Sequence, residues 1–132
     1  DAAHTAIAGS SMGGLISLYA ICEYPDVFGK AAGLSTHWPG TFSVEGNPFP
    51  KAMQLYLQKS LPDPRTHRIY LDCGDQELDA LYPSLLHSVE DILRQRGYSD
   101  STGRARVIAG TGHSERAWSA RLPEVIGYLM GE

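Results

Sequence analysis

The stretch that most restricts the fold is "TAIAGSSMGGLISLYAICEYP", residues 5–25, where a short apolar run passes through a Gly/Ser turn directly into a helical pattern. Thr5–Ala8 reads as a buried strand ending at Gly9. From Met12 to about Glu23, Leu15, Leu18, Tyr19 and Cys22 recur at helical spacing, and the pattern stops before Pro25. Ile16 and Ile21 widen the apolar face, which predicts a helix covered on most sides. No internal repeat is visible, but further strand and helix patterns follow. Ala31–Ser35 is a second short strand, followed over residues 39–65 by a Pro-rich connection with a helical piece at Ala52–Lys59. Arg68–Cys73 ("RIYLDC") is the clearest strand. Leu85, Leu86, Val89, Ile92 and Leu93 mark an amphipathic helix, with Pro83 suited to its first turn and Gly97 to its stop. Arg106–Ala109 is the last strand. The last helix carries Trp118, Leu122, Val125, Ile126 and Leu129, and Pro123 predicts a kink or split in it. The order β-α-β-insert-β-α-β-α predicts one α/β domain over residues 1–132, a parallel sheet with right-handed crossovers and helices on both faces. In such sheets function gathers at the carboxyl ends of the strands.

That rule directs attention to three loops. After the first strand, Gly9-Ser10-Ser11-Met12-Gly13 matches G-x-S-x-G centred on Ser11. In that motif the serine sits on a strained strand-to-helix turn, and the glycines on either side are expected to avoid clashes across it. The string alone is weak in a chain with 14 glycines, and Ser11 could simply cap the helix. Its position between strand and helix is what makes Ser11 the nucleophile candidate. Ser10 lacks the symmetric glycines.

A serine hydroxyl needs a base. In "RVIAGTGHSE", His113 lies just past the last strand, alone among five histidines in occupying that loop. His4 and His67 precede strands and His87 lies on an amphipathic helix, so these read as surface or packing residues. His37 and Trp38 follow the second strand and are candidates for a pocket wall, with the "WPGTF" loop hinting at an aromatic surface. The orienting carboxylate should follow the third strand, where "LDCGDQELDALYP" offers Asp72, Asp75, Glu77 and Asp79. Asp72 lies within the strand. Asp79 is preferred, because it stands in the loop just ahead of the helix; Glu77 and then Asp75 are the alternatives, and the surplus acids are expected to be solvated.

At this point the chain resembles a known family. "AIAGSSMGGLISLYAICEYPDVFGKAAGLS", with its doubled Gly13–Gly14, and the late "GHSERAW" are similar to the esterase D-like ("putative esterase") branch of the α/β-hydrolases. That branch includes enterobactin-type esterases, feruloyl esterases and S-formylglutathione hydrolases. The similarity extends over essentially the whole chain but matches only the C-terminal part of such a fold. It implies Ser11 as nucleophile, His113 as base, an acid in the "GDQELD" loop, a small-molecule ester as substrate, and neither metal nor organic cofactor. The backbone N–H of Met12, at a helix N-terminus, is then one oxyanion donor.

The chain begins with Asp1, almost directly on a strand, and so reads as a piece of something longer. The second oxyanion donor is expected from a preceding strand's loop, in a missing N-terminal half that would pair with the first strand. Without that donor the piece alone is expected to be a poor catalyst. A net charge of −4 and a pI near 5.7 argue against a nucleic-acid partner. No apolar run approaches a membrane span, so the chain reads as soluble, with the cytoplasm as default compartment. Cys22 and Cys73 show no CxxC spacing and read as buried, reduced thiols. An acyltransferase using the same residues, or a binding module that kept the fold without the chemistry, are the alternatives to an esterase.

Overall fold

Four parallel strands lie in the order in which the chain makes them: β1 (Ala6–Ser10), β2 (Lys30–Leu34), β3 (Arg68–Gly74) and β4 (Gly103–Ile108). Four helices follow them in turn: α1 (Met12–Glu23), α2 (Phe49–Ser60), α3 (Pro83–Gln95) and α4 (Glu115–Leu129). The computed structural model describes residues 1–43 and 45–131. Strand residues alternate between two cores. Ala31, Ile69, Leu71 and Cys73 point into one core with Leu18, Leu57 and Leu86, from α1, α2 and α3. Ala32, Leu34 and Tyr70 point the other way, onto Val125, Tyr128 and Leu129 of α4. The sheet is therefore covered on both faces, which accounts for the nearly unbroken burial of β2 and β3. Because α1, α2 and α3 share one face while strand order advances in one direction, the three crossovers have one hand.

Small residues let α1 approach the sheet closely. A Cβ on Gly14 or on Gly33 would overlap the Thr36 hydroxyl, which is wedged between them. A Cβ on Gly9 would overlap the Gly13 carbonyl, as expected for a tight strand-to-helix turn. The expectation for Gly13 itself is corrected: a Cβ there meets nothing, and Gly14 is the glycine that packing requires.

Other differences follow from tertiary context. The first strand runs two residues beyond Ala8, because Gly9 and Ser10 pair in register with Gly33 and Leu34 despite weak intrinsic strand preference. The last strand begins at Gly103 rather than Arg106, paired with Ile69. α1 is covered on most sides, as expected, with Gly14, Leu15, Ser17, Leu18, Ala20, Ile21 and Cys22 buried, but Ile16 and Tyr19 fall with Met12 on its exposed stripe rather than on the packed face. The outer edge of β1 pairs with no strand among the described residues. α4 is not split at Pro123 but runs through it as one element. The Ser119 carbonyl that loses its donor belongs to an exposed residue, where water can serve it. The buried stripe of α4 is Arg121, Val125, Tyr128 and Leu129, with Leu122 and Ile126 exposed, because Arg121 turns inward to meet a buried acid.

Candidate active site

All four strands deliver their carboxyl ends to one edge of the sheet. Directly after β1, Ser11 adopts φ 56° and ψ −119°, a left-handed conformation that a side-chain-bearing residue rarely holds. Its amide donates to the Leu34 carbonyl, and its own carbonyl accepts from Gly14 and His37. The turn is thus tied to β2 and to the first turn of α1. The Ser11 side chain makes no capping bond to that helix, so the capping reading fails.

The Ser11 hydroxyl lies instead 3.0 Å from His113 Nε2. His113 follows β4 in the loop before α4, and its Nδ1 is 2.7 Å from Asp79 Oδ1. Asp79 is completely buried in a short 3-10 turn, Glu77–Leu81, after β3. Its second oxygen, Oδ2, accepts from the Gly74 amide at 2.6 Å and from the Ser35 hydroxyl at 2.6 Å. A carboxylate can only accept, so His113 donates through Nδ1, and Nε2 faces the serine with its lone pair. Three residues from three different loops are thereby joined in one line.

The other acids after β3 lie elsewhere. Glu77 is exposed. Asp75 accepts from Gln76 and from the Gly110 amide, which hold its carboxyl below the usual range, and it is kept at the rim. Asp72 departs from the expectation of solvated surplus acids. It is fully buried on β3 and forms a two-pronged pair with Arg121 of α4, Nε–Oδ2 2.7 Å and Nη2–Oδ1 2.9 Å. Tyr70 also donates to Asp72 Oδ2; burial, then the Asp72 charge, push its hydroxyl well above the ordinary tyrosine value. A charged residue inside an apolar strand, and an arginine one turn after Trp118 on the last helix, were the sequence signals of this pair. Arg121→Met would leave the Asp72 charge buried without its partner, an expected loss of about 3–5 kcal/mol in chemical denaturation. The double variant Asp72→Leu with Arg121→Met should recover most of that loss.

An open depression of about 330 Å³ lies over the Ser11–His113 pair, bordered by Met12, His37, Thr41, Phe42 and Leu78. His37 accepts from Tyr82 Oη at Nδ1, 2.6 Å, and donates from Nε2 to the Thr41 carbonyl, 3.1 Å. Burial, then the nearby Asp79 charge, push the Tyr82 hydroxyl well above its ordinary value and keep it a donor. Trp38 does not line the depression, contrary to expectation. It is 2% exposed and packs in the core with Leu57 and Tyr82, because an indole gains more from burial than any neighbour in that segment. The aromatic ring at the rim is Phe42, which is 94% exposed and tilts against His37.

His4, His67 and His87 all lie away from this edge, bonded to Asp1, to the Pro25 carbonyl and beside Glu90 respectively. Burial pushes the Cys22 and Cys73 thiols up to about 12, so both are unreactive packing residues. Among the described residues no group of three or more His, Cys, Asp or Glu is placed to hold a metal, and no helix is long and apolar enough to cross a membrane.

Comparison with known proteins gives the geometry its context. The uncharacterized protein YbbA of Bacillus subtilis (strain 168) is 24% identical over 131 residues, covering 94% of this chain and 48% of that protein. Among solved structures, the ferric enterobactin esterase of Salmonella typhimurium superposes with a TM-score of 0.69 at 25% identity, over 98% of this chain and 31% of that one. The fluorophosphonate-binding serine hydrolase FphF of Staphylococcus aureus superposes with a TM-score of 0.66 at 18% identity, over 99% of this chain and 56% of that one. This chain therefore spans about half the length of the curated relative, and its fold is α/β-hydrolase-like. The family model described as Putative esterase matches residues 1–129, and the chain belongs to that family.

Proposed function

We propose that the protein is a serine carboxylic-ester hydrolase that works through Ser11, His113 and Asp79 and an acyl-enzyme. The observation that carries this reading is the unbroken line of contacts Ser11 Oγ–His113 Nε2–Asp79 at 3.0 and 2.7 Å, with Ser11 on a strained turn. Ser11 Oγ adds to the ester carbonyl while His113 Nε2 takes its proton. Asp79 holds the ring in the tautomer that can accept, and stabilises the imidazolium. The tetrahedral oxyanion is met by the Met12 N–H at the N-terminus of α1. Collapse expels the alcohol, which receives the proton from His113. Water then enters by the same route and releases the acid. The depression bordered by His37 and Phe42 receives the substrate.

The second oxyanion donor comes, in this reading, from the part of the fold outside this chain, which spans half or less of several relatives. The outer edge of β1, which pairs with no strand among the described residues and has Leu122 and Ile126 exposed beside it, is where that part would pack.

The test is labelling with a fluorophosphonate, whose phosphorus is attacked by an activated serine oxygen with loss of fluoride. The expected result is a single adduct, located on Ser11 by mass spectrometry, absent in Ser11→Ala and lost in His113→Ala. Labelling that survives Ser11→Ala would overturn the assignment.

A further inference from the structure

We propose that Ser35 is a positioning residue, which holds the Asp79 carboxylate toward His113 under the direction of Arg121 and Trp118. The inference rests on the serine-hydrolase reading above and concerns a residue that the sequence did not single out.

Ser35 immediately follows β2, is completely buried, and adopts φ 48° although it is not glycine. Its backbone N–H donates to the Asp72 carbonyl at 2.9 Å and reaches Asp72 Oδ1 at 3.2 Å, so β3 holds the strained residue in place. The conformation aims its hydroxyl at the space between the Asp72–Arg121 pair and Asp79. Three groups meet Oγ there. Trp118 Nε1 lies at 2.8 Å, Arg121 Nη2 at 3.1 Å and Asp79 Oδ2 at 2.6 Å.

The chemistry of these groups leaves one arrangement. An indole N–H and a guanidinium N–H can only donate, so they take both lone pairs of the hydroxyl. The single hydroxyl proton then has one remaining acceptor, Asp79 Oδ2. A serine alone could turn its proton elsewhere; this one is locked from two sides, and one of the two locks carries a positive charge that strengthens the outgoing bond. Asp79 Oδ2 thus receives two donors, the Ser35 hydroxyl and the Gly74 amide, and Oδ1 is left facing His113. Trp118 adds a second constraint, since its ring also stands edge-on to the His113 ring with centroids 5.0 Å apart. The buried Asp72–Arg121 pair, which has no place in the chemistry itself, becomes the anchor that holds Arg121 on Ser35.

Removing the hydroxyl leaves Asp79 Oδ2 with the Gly74 amide alone, and the carboxylate gains freedom to turn away from His113. Ser35 does not border the substrate depression, so binding should be untouched. The expected cost is about tenfold in kcat, the scale of one hydrogen bond to a charged group, at unchanged KM.

The experiment is a double-mutant cycle in the full natural chain, read by kcat and KM on a short p-nitrophenyl ester and by the rate of fluorophosphonate labelling. Its members are the wild type, Ser35→Ala, Asp79→Ala and the double variant. Ser35→Gly is run beside Ser35→Ala, because glycine accepts φ 48° freely and lacks the hydroxyl equally. The expected result is a tenfold fall in kcat and labelling for either Ser35 variant, with KM unchanged, and no further fall when Ser35→Ala is added to Asp79→Ala. A Ser35 variant with wild-type rates, beside a severely impaired Asp79→Ala, would overturn this inference and leave the hydrolase reading standing. The same tenfold cost in the Asp79→Ala background would also overturn it, since Ser35 would then act independently of the acid. An undiminished Asp79→Ala would remove both the inference and the assignment of Asp79 beneath it.

Discussion

In the full natural chain, replacing Ser11 or His113 with alanine is expected to lower kcat on a p-nitrophenyl ester by about 10⁶-fold each, and replacing both is expected to cost no more than either alone. The reason is that the two side chains perform one act. His113 Nε2 has no proton to take unless Ser11 attacks, and Ser11 does not attack with its proton in place. What survives is the rate that binding and the oxyanion donors, Met12 N–H among them, supply without a nucleophile, on the order of 10³–10⁴ over the uncatalysed reaction. The substitutions are structurally mild. His113 is only partly buried and alanine leaves its neighbours Asp79 and Trp118 in place, while Ser11→Ala retains the same φ 56° backbone, which the bonds to Leu34, Gly14 and His37 impose. Wild-type melting with residual kcat near the no-nucleophile level is the anticipated outcome. Two independent losses that multiply in the double variant would mean that the residues do not act as a unit, and the proposed reaction would fall.

Local pattern carried much of this site, and the reason is visible in how its parts are built. Ser11 directly follows β1 and His113 lies in the short loop between β4 and α4, so the order of elements is enough to bring them to one edge. Asp79 reads as the acid because it stands just ahead of a helix. The bonds that give it a buried seat come from Gly74, five residues away, and from Ser35, 44 residues away. Contacts of the second kind leave no trace in periodicity. Ser35 looks like the polar end of a strand, and Arg121 looks like an interruption of an apolar stripe, until the sheet order sets them beside Asp72. The exchange of Trp38 for Phe42 has a related cause. Both aromatics occupy one short loop, and only the turn of the chain after Ser35 decides which is swallowed by the core and which is left at the rim. Strand limits differ where the apolar run is shorter than the ladder: Gly9, which reads as an end, lies inside β1, and β4 starts at Gly103, three residues ahead of Arg106, because partners across the sheet hold both glycines there.

The choice among the acids after β3 yields the second large effect. Asp79→Asn is expected to lower kcat by about 10⁴-fold, while Asp75→Asn and Glu77→Gln stay within a few-fold of wild type. Asparagine keeps the size of the side chain and can keep accepting through one oxygen. At Oδ2 that oxygen would satisfy both Gly74 and Ser35, which are donors, so the amide nitrogen is driven to the position of Oδ1. There an N–H confronts His113 Nδ1 and favours the tautomer whose proton sits on Nε2, facing Ser11. The base is then presented to the serine already protonated, with no negative charge behind it to stabilise an imidazolium. Gly74 and Ser35 together make this outcome sharper than it would be for a loosely held acid, because they dictate which end of the amide faces the histidine. Asp75 and Glu77 have no such reach: Asp75 is occupied by Gln76 and the Gly110 amide, and Glu77 is exposed. The measurement is kcat for the three variants at a pH where the wild type is fully active, with ¹⁵N-histidine NMR to read the His113 tautomer in Asp79→Asn. A proton found on Nε2 together with the 10⁴-fold loss would tie the rate to the tautomer. A severe loss in Asp75→Asn or Glu77→Gln, with Asp79→Asn unimpaired, would move the acid to that residue and with it the whole line of contacts that ends at Ser11.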